Sequence, residues 1–331
     1  MKIGIIGTGS VASNNYIPYL SEQEDVELFY SSRTPAKAEV CAERYGGRVC
    51  PSVESLMAQK PDTVMILTNE SEHASVAERV LKYRPPRIFF EKPLFARYGQ
   101  ARVCEEDFLE ARSFLCRGRE LGVETAMNFN YRFFDQSRTF LKLREERKLG
   151  KLLQCSLFVN YACWSHCIDL MNFFGLHALC VSAQESADTF SGAADIAAAL
   201  RFSNGAAGTL LGTNGSSFSY PLYRSMFVFE NGMICQNDLD AETELYAKKE
   251  DAYAEKRCLT ADHSRWDRYA ESFRKSLGAY LESLRSGQAP PVSGLDGLRE
   301  LRFEAALRRS AAQGRSVRIE EEFPIEFEHM E

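Results

Sequence analysis

Met1-Lys2-Ile3-Gly4-Ile5-Ile6-Gly7-Thr8-Gly9-Ser10-Val11-Ala12 opens the chain, and its reading decides the fold. The run through Ile6 has the pattern of a buried strand. It passes straight into Gly-x-Gly-x-x-Ala. In that order Gly7 serves a tight turn, Gly9 lets the backbone approach a pyrophosphate, and the small Ala12 lets the following helix pack close to the strand. The first turn of that helix offers free N–H groups and a partial positive charge to phosphate. Gly7, Thr8, Gly9, Ser10, Val11 and Ala12 are therefore expected to cradle a dinucleotide.

Outward from this turn, the first third of the sequence alternates strand and helix. Strands are expected at 3–7, 26–31, 63–68, 87–91 and 123–128, with helices at 14–21, 36–45, 73–83 and 101–121. Such alternation implies a parallel, doubly wound sheet. The pattern changes near residue 128. A helix over 132–148 precedes longer strands at 152–161, 178–186, 194–202, 206–213, 223–230 and 233–237. Two Asn-Gly pairs, Asn204-Gly205 and Asn231-Gly232, favour hairpin turns. Amphipathic helices over 265–285 and 295–313 close the chain. The expected class is α/β: a doubly wound dinucleotide-binding domain over 1–125, then an α+β domain over 126–331 with a mostly antiparallel sheet.

Length and composition agree with a globular protein of two domains. The chain has 331 residues, 45% hydrophobic and 26% charged, with net charge −6. No basic block marks a nucleic-acid or membrane surface, and no apolar run approaches the roughly 18 residues that span a bilayer. The apolar start reads as a strand and not as a signal peptide, so a cytoplasmic location with its ten cysteines reduced is expected. Cys163, His166 and Cys167 share a helical face, but a closed zinc site takes four ligands and no second cluster supplies them. No metal is expected.

The sequence carries further motifs beyond the glycine turn. They are Ser32-Arg33 after the second strand, the stretch from Thr68 and Asn69 to His73, Glu91-Lys92-Pro93, Asn130-Tyr131-Arg132-Phe133, and Ser165-His166-Cys167-Ile168-Asp169. Together they resemble the glucose–fructose oxidoreductase/inositol dehydrogenase/rhizopine-catabolism (Gfo/Idh/MocA) family nearly end to end. The resemblance implies a Rossmann domain followed by a substrate domain. It also implies hydride transfer between NAD(P) and a carbinol or carbonyl carbon of a sugar, nucleotide sugar or cyclitol. Lys92 falls where the family has its catalytic lysine. Thr68, Asn69, His73 and Glu91 fall at the cofactor, and self-association through the second sheet is common in the family. Relatives that bind cofactor without turnover, or use it transiently to cleave glycosides, keep a regulator and a glycosidase as alternatives.

The residues themselves sharpen these roles. Ser32 and Arg33 stand where an acid would accept the ribose 2′-hydroxyl, so hydroxyls and a guanidinium favour NADP(H), with NAD(H) second. Lys92 ends its strand on the side where such sheets bind ligands, and its ammonium suits the reacting oxygen. His166 titrates near neutrality and suits proton transfer, and Asp169 is placed at i+3 to orient it. Where the family has an acid four residues before this histidine, the chain has Ala162. Tyr161 or Trp164 is expected to take part of that space, with the Tyr161 phenol as a possible proton donor. Asn130 and Arg132 are expected to meet substrate; Arg132 serves equally as a tie between domains.

Overall fold

Six parallel strands follow one another in the order β3-β2-β1-β4-β5-β6. They are β1 (Lys2–Ile6), β2 (Glu27–Ser31), β3 (Arg48–Val49), β4 (Thr63–Ile66), β5 (Arg87–Phe90) and β6 (Glu124–Met127). The chain is described from a computed structural model covering residues 1–190, 192–247, 253–258 and 264–328; the side chains of Phe190 and of 253–258 lie outside it. The strand order reverses between β1 and β4, which opens a crevice at their carboxyl ends. Ile3, Ile5, Val64, Met65, Ile66, Ile88, Phe89 and Phe90 are all buried, because helices cover both faces. This is the doubly wound domain that the alternation implied.

A second sheet has nine strands in the order β14-β13-β12-β11-β7-β10-β9-β8-β15. They are β7 (Leu152–Asn160), β8 (Ala178–Phe190), β9 (Ala193–Phe202), β10 (Ala207–Thr213), β11 (Tyr223–Phe229), β12 (Gly232–Asn237), β13 (Glu242–Ala247), β14 (Tyr253–Cys258) and β15 (Val317–Arg318). Pairing is antiparallel except between β7 and β10. Both Asn-Gly pairs join antiparallel neighbours, β9 to β10 and β11 to β12. The strands β3, β13, β14 and β15 were not expected. β3 and β15 are two residues each, too short to show a period, and β13 and β14 mix charged residues into the alternation. The strand before Tyr161 ends at Asn160, whose side chain caps a short turn over Tyr161–Cys163. The long helix begins at Glu105 and not at 101, where Asp107 and Cys104 form its cap.

The last two long helices do not stay with the second sheet. Helix Arg265–Ser286 buries Phe273, Leu277, Tyr280 and Leu281 against Ile3, Ile5, Met65 and Phe89 of the first. Tyr280 meets Thr63 at 2.6 Å, and Arg87 donates to Ser283 at 2.8 Å. Helix Gly294–Gln313 packs on helix Glu105–Glu120, on helix Trp164–Phe173 and on β8. It is capped by Ser293 and Asp296. Gly212 on β10 explains how helix Trp164–Phe173 sits so near the sheet. A Cβ there would meet Trp164 and Tyr161 ring carbons at 2.6 Å.

Candidate active site

The glycine turn is built as its sequence predicts. Gly7 has φ +99° and lies against backbone of Leu67 and Thr68, 2.7 Å from where a Cβ would stand, so a side chain is excluded twice over. At Gly9 a Cβ would meet nothing within 4 Å. That open backbone is the cradle a pyrophosphate requires. The helical run that starts at Ser10 includes a π-helical turn over Ala12–Tyr16, a feature frequent at functional sites. Thr8 Oγ1 and Thr68 Oγ1 are buried beside this turn with no hydrogen-bond partner among the described residues. Buried hydroxyls normally find one. The open Gly9 and the two orphaned hydroxyls fit a dinucleotide's phosphates.

Gly9, Ser10, Val11 and Thr68 line a cleft of about 350 Å³ with Leu67, Asn69, Glu70, Glu91, Lys92, Gln100 and Tyr269. Lys92 Nζ donates to Gln100 Oε1 at 2.6 Å and to the Ala162 carbonyl at 3.5 Å. The amine thus stands between the phosphate turn and the turn that carries Ala162. Gln100, Glu70 and Tyr269 were not expected; each is a lone polar or aromatic residue without a periodic signal. At the outer edge, Arg33 is 87% exposed and faces Glu72 at 3.6 Å, while Ser32 Oγ accepts from the Thr34 N–H at 3.3 Å.

Three expected cofactor contacts have partners within the protein, although Asn69 and Glu91 also line the cleft. His73 is fully buried. Its Nδ1 lies 3.0 Å from the Pro93 carbonyl and its Nε2 3.3 Å from that of Thr68, so it braces the two loops from beneath and does not face the cleft. Burial lowers its imidazole below the usual range against the pull of these carbonyls. Asn69 caps the next turn by accepting from Ser71. Glu91 is not a partner of the Lys92 amine, which donates to Gln100 and the Ala162 carbonyl. Its carboxyl accepts from the Tyr16 hydroxyl and from Asn128 at 3.4 Å, and Asn128 accepts from Ser276 at 2.8 Å. Burial raises the Glu91 carboxyl, with Lys92 opposing. The network joins β5, β6 and helix Arg265–Ser286 beneath the cleft.

The histidine side of the site differs from expectation. His166 is 1% exposed, stacked on Tyr131 with centroids 3.9 Å apart, and edge-on to Phe129. Its Nδ1 has no partner among the described residues. Burial first, then the charge of Lys92, hold the imidazole well below its usual range, so it is neutral at pH 7. Asp169 does not orient it. Arg132 takes both Asp169 oxygens, at 2.8 and 2.5 Å, and reaches Asp296 at 3.0 Å. Burial pushes the Asp169 carboxyl up to about 6 against the pull of this guanidinium.

Tyr161 does not reach His166 either: its hydroxyl donates to the Ala194 carbonyl at 2.5 Å. Asn130 donates to Ser272 at 2.7 Å and is buried, and Trp164 is buried edge-on to Tyr161. Asn130, Arg132 and Trp164 therefore lie behind the cleft wall, where interior partners hold the first two. Arg132 pairs with Asp169 and Asp296, both within 126–331, so its ion pairs tie helices inside that part of the chain and do not tie it to residues 1–125. Asp296 was not expected here; it caps its own helix, and its partner Arg132 lies 164 positions away in sequence.

Comparison with known proteins agrees with this geometry. Residues 1–108 match the family described as the oxidoreductase family (GFO_IDH_MocA), NAD-binding Rossmann fold. The chain is 23% identical to the myo-inositol 2-dehydrogenase of Thermotoga maritima, across 97% of this chain and 99% of that one. An oxidoreductase from Agrobacterium radiobacter, solved with NAD+, L-tartaric acid and magnesium, superposes with TM-score 0.80 at 17% identity, covering 97% and 99% of the two chains. The WlbA dehydrogenase of Bordetella pertussis, solved with NADH and UDP-GlcNAcA, gives 0.76 at 19% identity, covering 96% and 97%. Over residues 1–108 the chain thus matches the NAD-binding Rossmann fold of the family that the motifs resembled.

Proposed function

We propose that the protein is an NAD(P)-dependent dehydrogenase or reductase acting on a CH–OH group of a sugar, nucleotide sugar or cyclitol. One observation carries this reading: a single cleft holds both an open phosphate turn at Gly9 and the Lys92 amine. Bound nicotinamide would supply the hydride acceptor or donor. Gly7 through Ala12, Ser32, Arg33, Thr68 and Asn69 would hold the cofactor, with Thr8 and Thr68 supplying the free hydroxyls. Lys92 would donate to the substrate oxygen and stabilise its negative charge as the C–H bond breaks. His166, held neutral, would serve as a proton acceptor and not as an acid. Residues 1–125 would form the cofactor unit and 126–331 the substrate unit, with helix Arg265–Ser286 fixing the first to the second.

Arg33 supports a preference for NADP(H). Its exposed pair with Glu72 at 3.6 Å is weak, about 0–1 kcal/mol, and is readily exchanged for a 2′-phosphate. The open face of the second sheet exposes Leu153, Phe158, Leu179 and Leu211, which supports self-association through that face. No described helix is long and apolar enough to cross a membrane; the described cysteines are all unpaired, which supports a reducing, cytoplasmic setting for an enzyme with a small-molecule substrate.

A second reading, a cofactor-binding regulator, is favoured by Asp169, which is held by Arg132, and by the sealed Nδ1 of His166. Nicotinamide absorbance during incubation with a panel of sugars, inositols and nucleotide sugars separates the two. Turnover that depends on Lys92 supports the enzyme. Cofactor binding without turnover on any member of the panel overturns it in favour of the regulator.

A further inference from the structure

Helix Gly294–Gln313 carries Asp296, Glu300, Glu304 and Arg308 at four-residue intervals, so they lie on one stripe. The stripe faces inward: Glu300 and Glu304 are both wholly buried. Arg132 closes one end through Asp296 at 3.0 Å, and Arg308 stands 3.9 Å from Glu304 at the other. Arg308 is itself held by Glu185 at 2.7 Å and by the Ala101 carbonyl at 3.1 Å. Between these ends, none of the four oxygens of Glu300 and Glu304 has a hydrogen-bond partner in full geometry among the described residues. Trp164 Nε1, on the facing helix, lacks one too. No role proposed above uses these groups.

Two carboxyls one helical turn apart and out of water cannot both ionise against one guanidinium at 3.9 Å that is already paired. Lost hydration and mutual repulsion favour a state with one proton between them. The groups that face the pair set where it resides. Burial, and then the charge of Glu304, push Glu300 well above the carboxylate range; Asp169 adds to this and Lys92 opposes it. Burial raises Glu304 as well, and Asp107 adds to that, but Arg308, Trp164 and Glu300 pull it down. Lys92 Nζ donates to the Ala162 carbonyl at 3.5 Å, two residues before Trp164, whose helix packs on the helix of the pair; it is the cation on the cleft side.

We propose that Glu300 and Glu304 share a single proton, held on Glu300, so that one negative charge, on Glu304, stays buried behind the turn that holds Lys92 and serves as the counter-charge that position 162 does not supply. The pair touches neither cofactor nor substrate; it is a positioning element that acts through the charge of Lys92. The proposal rests on Lys92 being the reactive amine of the cleft, but its test needs no turnover, so an inactive preparation would count against the proposed reaction and leave the pair to be judged separately.

Infrared spectroscopy of the full-length protein tests it. A protonated-carboxyl C=O band present near neutral pH is lost in Glu300→Gln and persists in Glu304→Gln. In Lys92→Met the same band persists to a pH about one unit higher, because a nearby cation no longer favours ionisation. Thermal stability gives a second measure. A carboxyl raised in the folded state stabilises below its unfolded pKa, and that contribution is lost as pH rises through the folded value. Glu300→Gln therefore loses less stability than wild type as pH rises from about 5 through the pH at which the wild-type band is lost. An unchanged band in Glu300→Gln, or loss of two carboxyl bands in the double glutamine variant, overturns the shared proton. An unchanged titration in Lys92→Met overturns the link to the cleft. Should Glu300→Gln fail to fold, the band's titration in wild type and Lys92→Met still decides that link.

Discussion

The two walls of the cleft are built on opposite principles. The wall at residues 7–12 is mostly backbone, with an open approach at Gly9 and two hydroxyls that nothing else engages. The layer behind the cleft, the turn Tyr161–Cys163 with helix Trp164–Phe173, is mostly side chain, and several of its polar groups bind the protein's own: Asp169 to Arg132, Tyr161 to Ala194. The first wall gains partners when a ligand arrives. The second has its ionised groups already paired, and these buried ion pairs fix helix Gly294–Gln313 against it. Lys92 is the group that reaches across from one to the other.

The largest expected effect is at that crossing. Lys92→Ala should lower turnover by about 10²–10⁴-fold, or roughly 3–5.5 kcal/mol of barrier, with cofactor affinity retained. His166→Ala should cost less, since a neutral imidazole with a sealed Nδ1 contributes less to charge stabilisation. Equal losses would place His166 on the main proton path and blur the contrast between the walls.

Next comes the side-chain wall. Arg132→Met strands Asp169 and Asp296 in the interior and should destabilise the fold by about 3–5 kcal/mol. Urea denaturation measures this, and acidification should restore part of it as the carboxyls take up protons. A change below about 1 kcal/mol would show that this wall is not held by its ion pairs.

The backbone wall should separate folding from binding. Gly7→Ala forces a side chain at φ +99° against backbone at 2.7 Å. A loss of roughly 2–4 kcal/mol in stability is expected. Gly9→Val should leave the melting temperature of the free protein near wild type and abolish the rise on adding NADPH. Retained binding in Gly9→Val would dismiss the phosphate turn. Arg33→Ala, at the rim, should weaken NADPH about tenfold, near 1.4 kcal/mol, and leave NADH unchanged. Equal losses would make Arg33 structural.

The smallest effect is a pH dependence. His73 and His166 are held neutral by burial. With folded pKa values below the unfolded one, they contribute stability above about pH 6.5 that is lost as pH falls below it. His166→Asn should flatten that acid-side loss in a series of melting temperatures. An unchanged slope would assign it to other groups.

Much of this was legible in the sequence. The glycine turn, the alternation of the first domain, both hairpins and the place of Lys92 follow from local pattern. Each depends on backbone conformation or on a short period that neighbours cannot override. The stripe of Asp296, Glu300 and Glu304 also left a signal, as acids recurring on a helix face that is otherwise apolar. The reading stopped short of it because a charged face is ordinarily solvated. Asp169 was misread for a related reason: its spacing from His166 is a fact of one helix, whereas its partner Arg132 comes from a separate segment.

What the sequence determined by itself is the dinucleotide-binding turn, the class of fold and the lysine at the end of β5, because chain geometry fixes them within a few residues. Tertiary structure alone decided which side chains remained free to act. Burial set His73, Glu91, Asp169 and His166 among partners from β5, β6 and three distant helices, and in a low-dielectric interior the nearest opposite charge or hydrogen bond, wherever it lies in the chain, claims the polar group first.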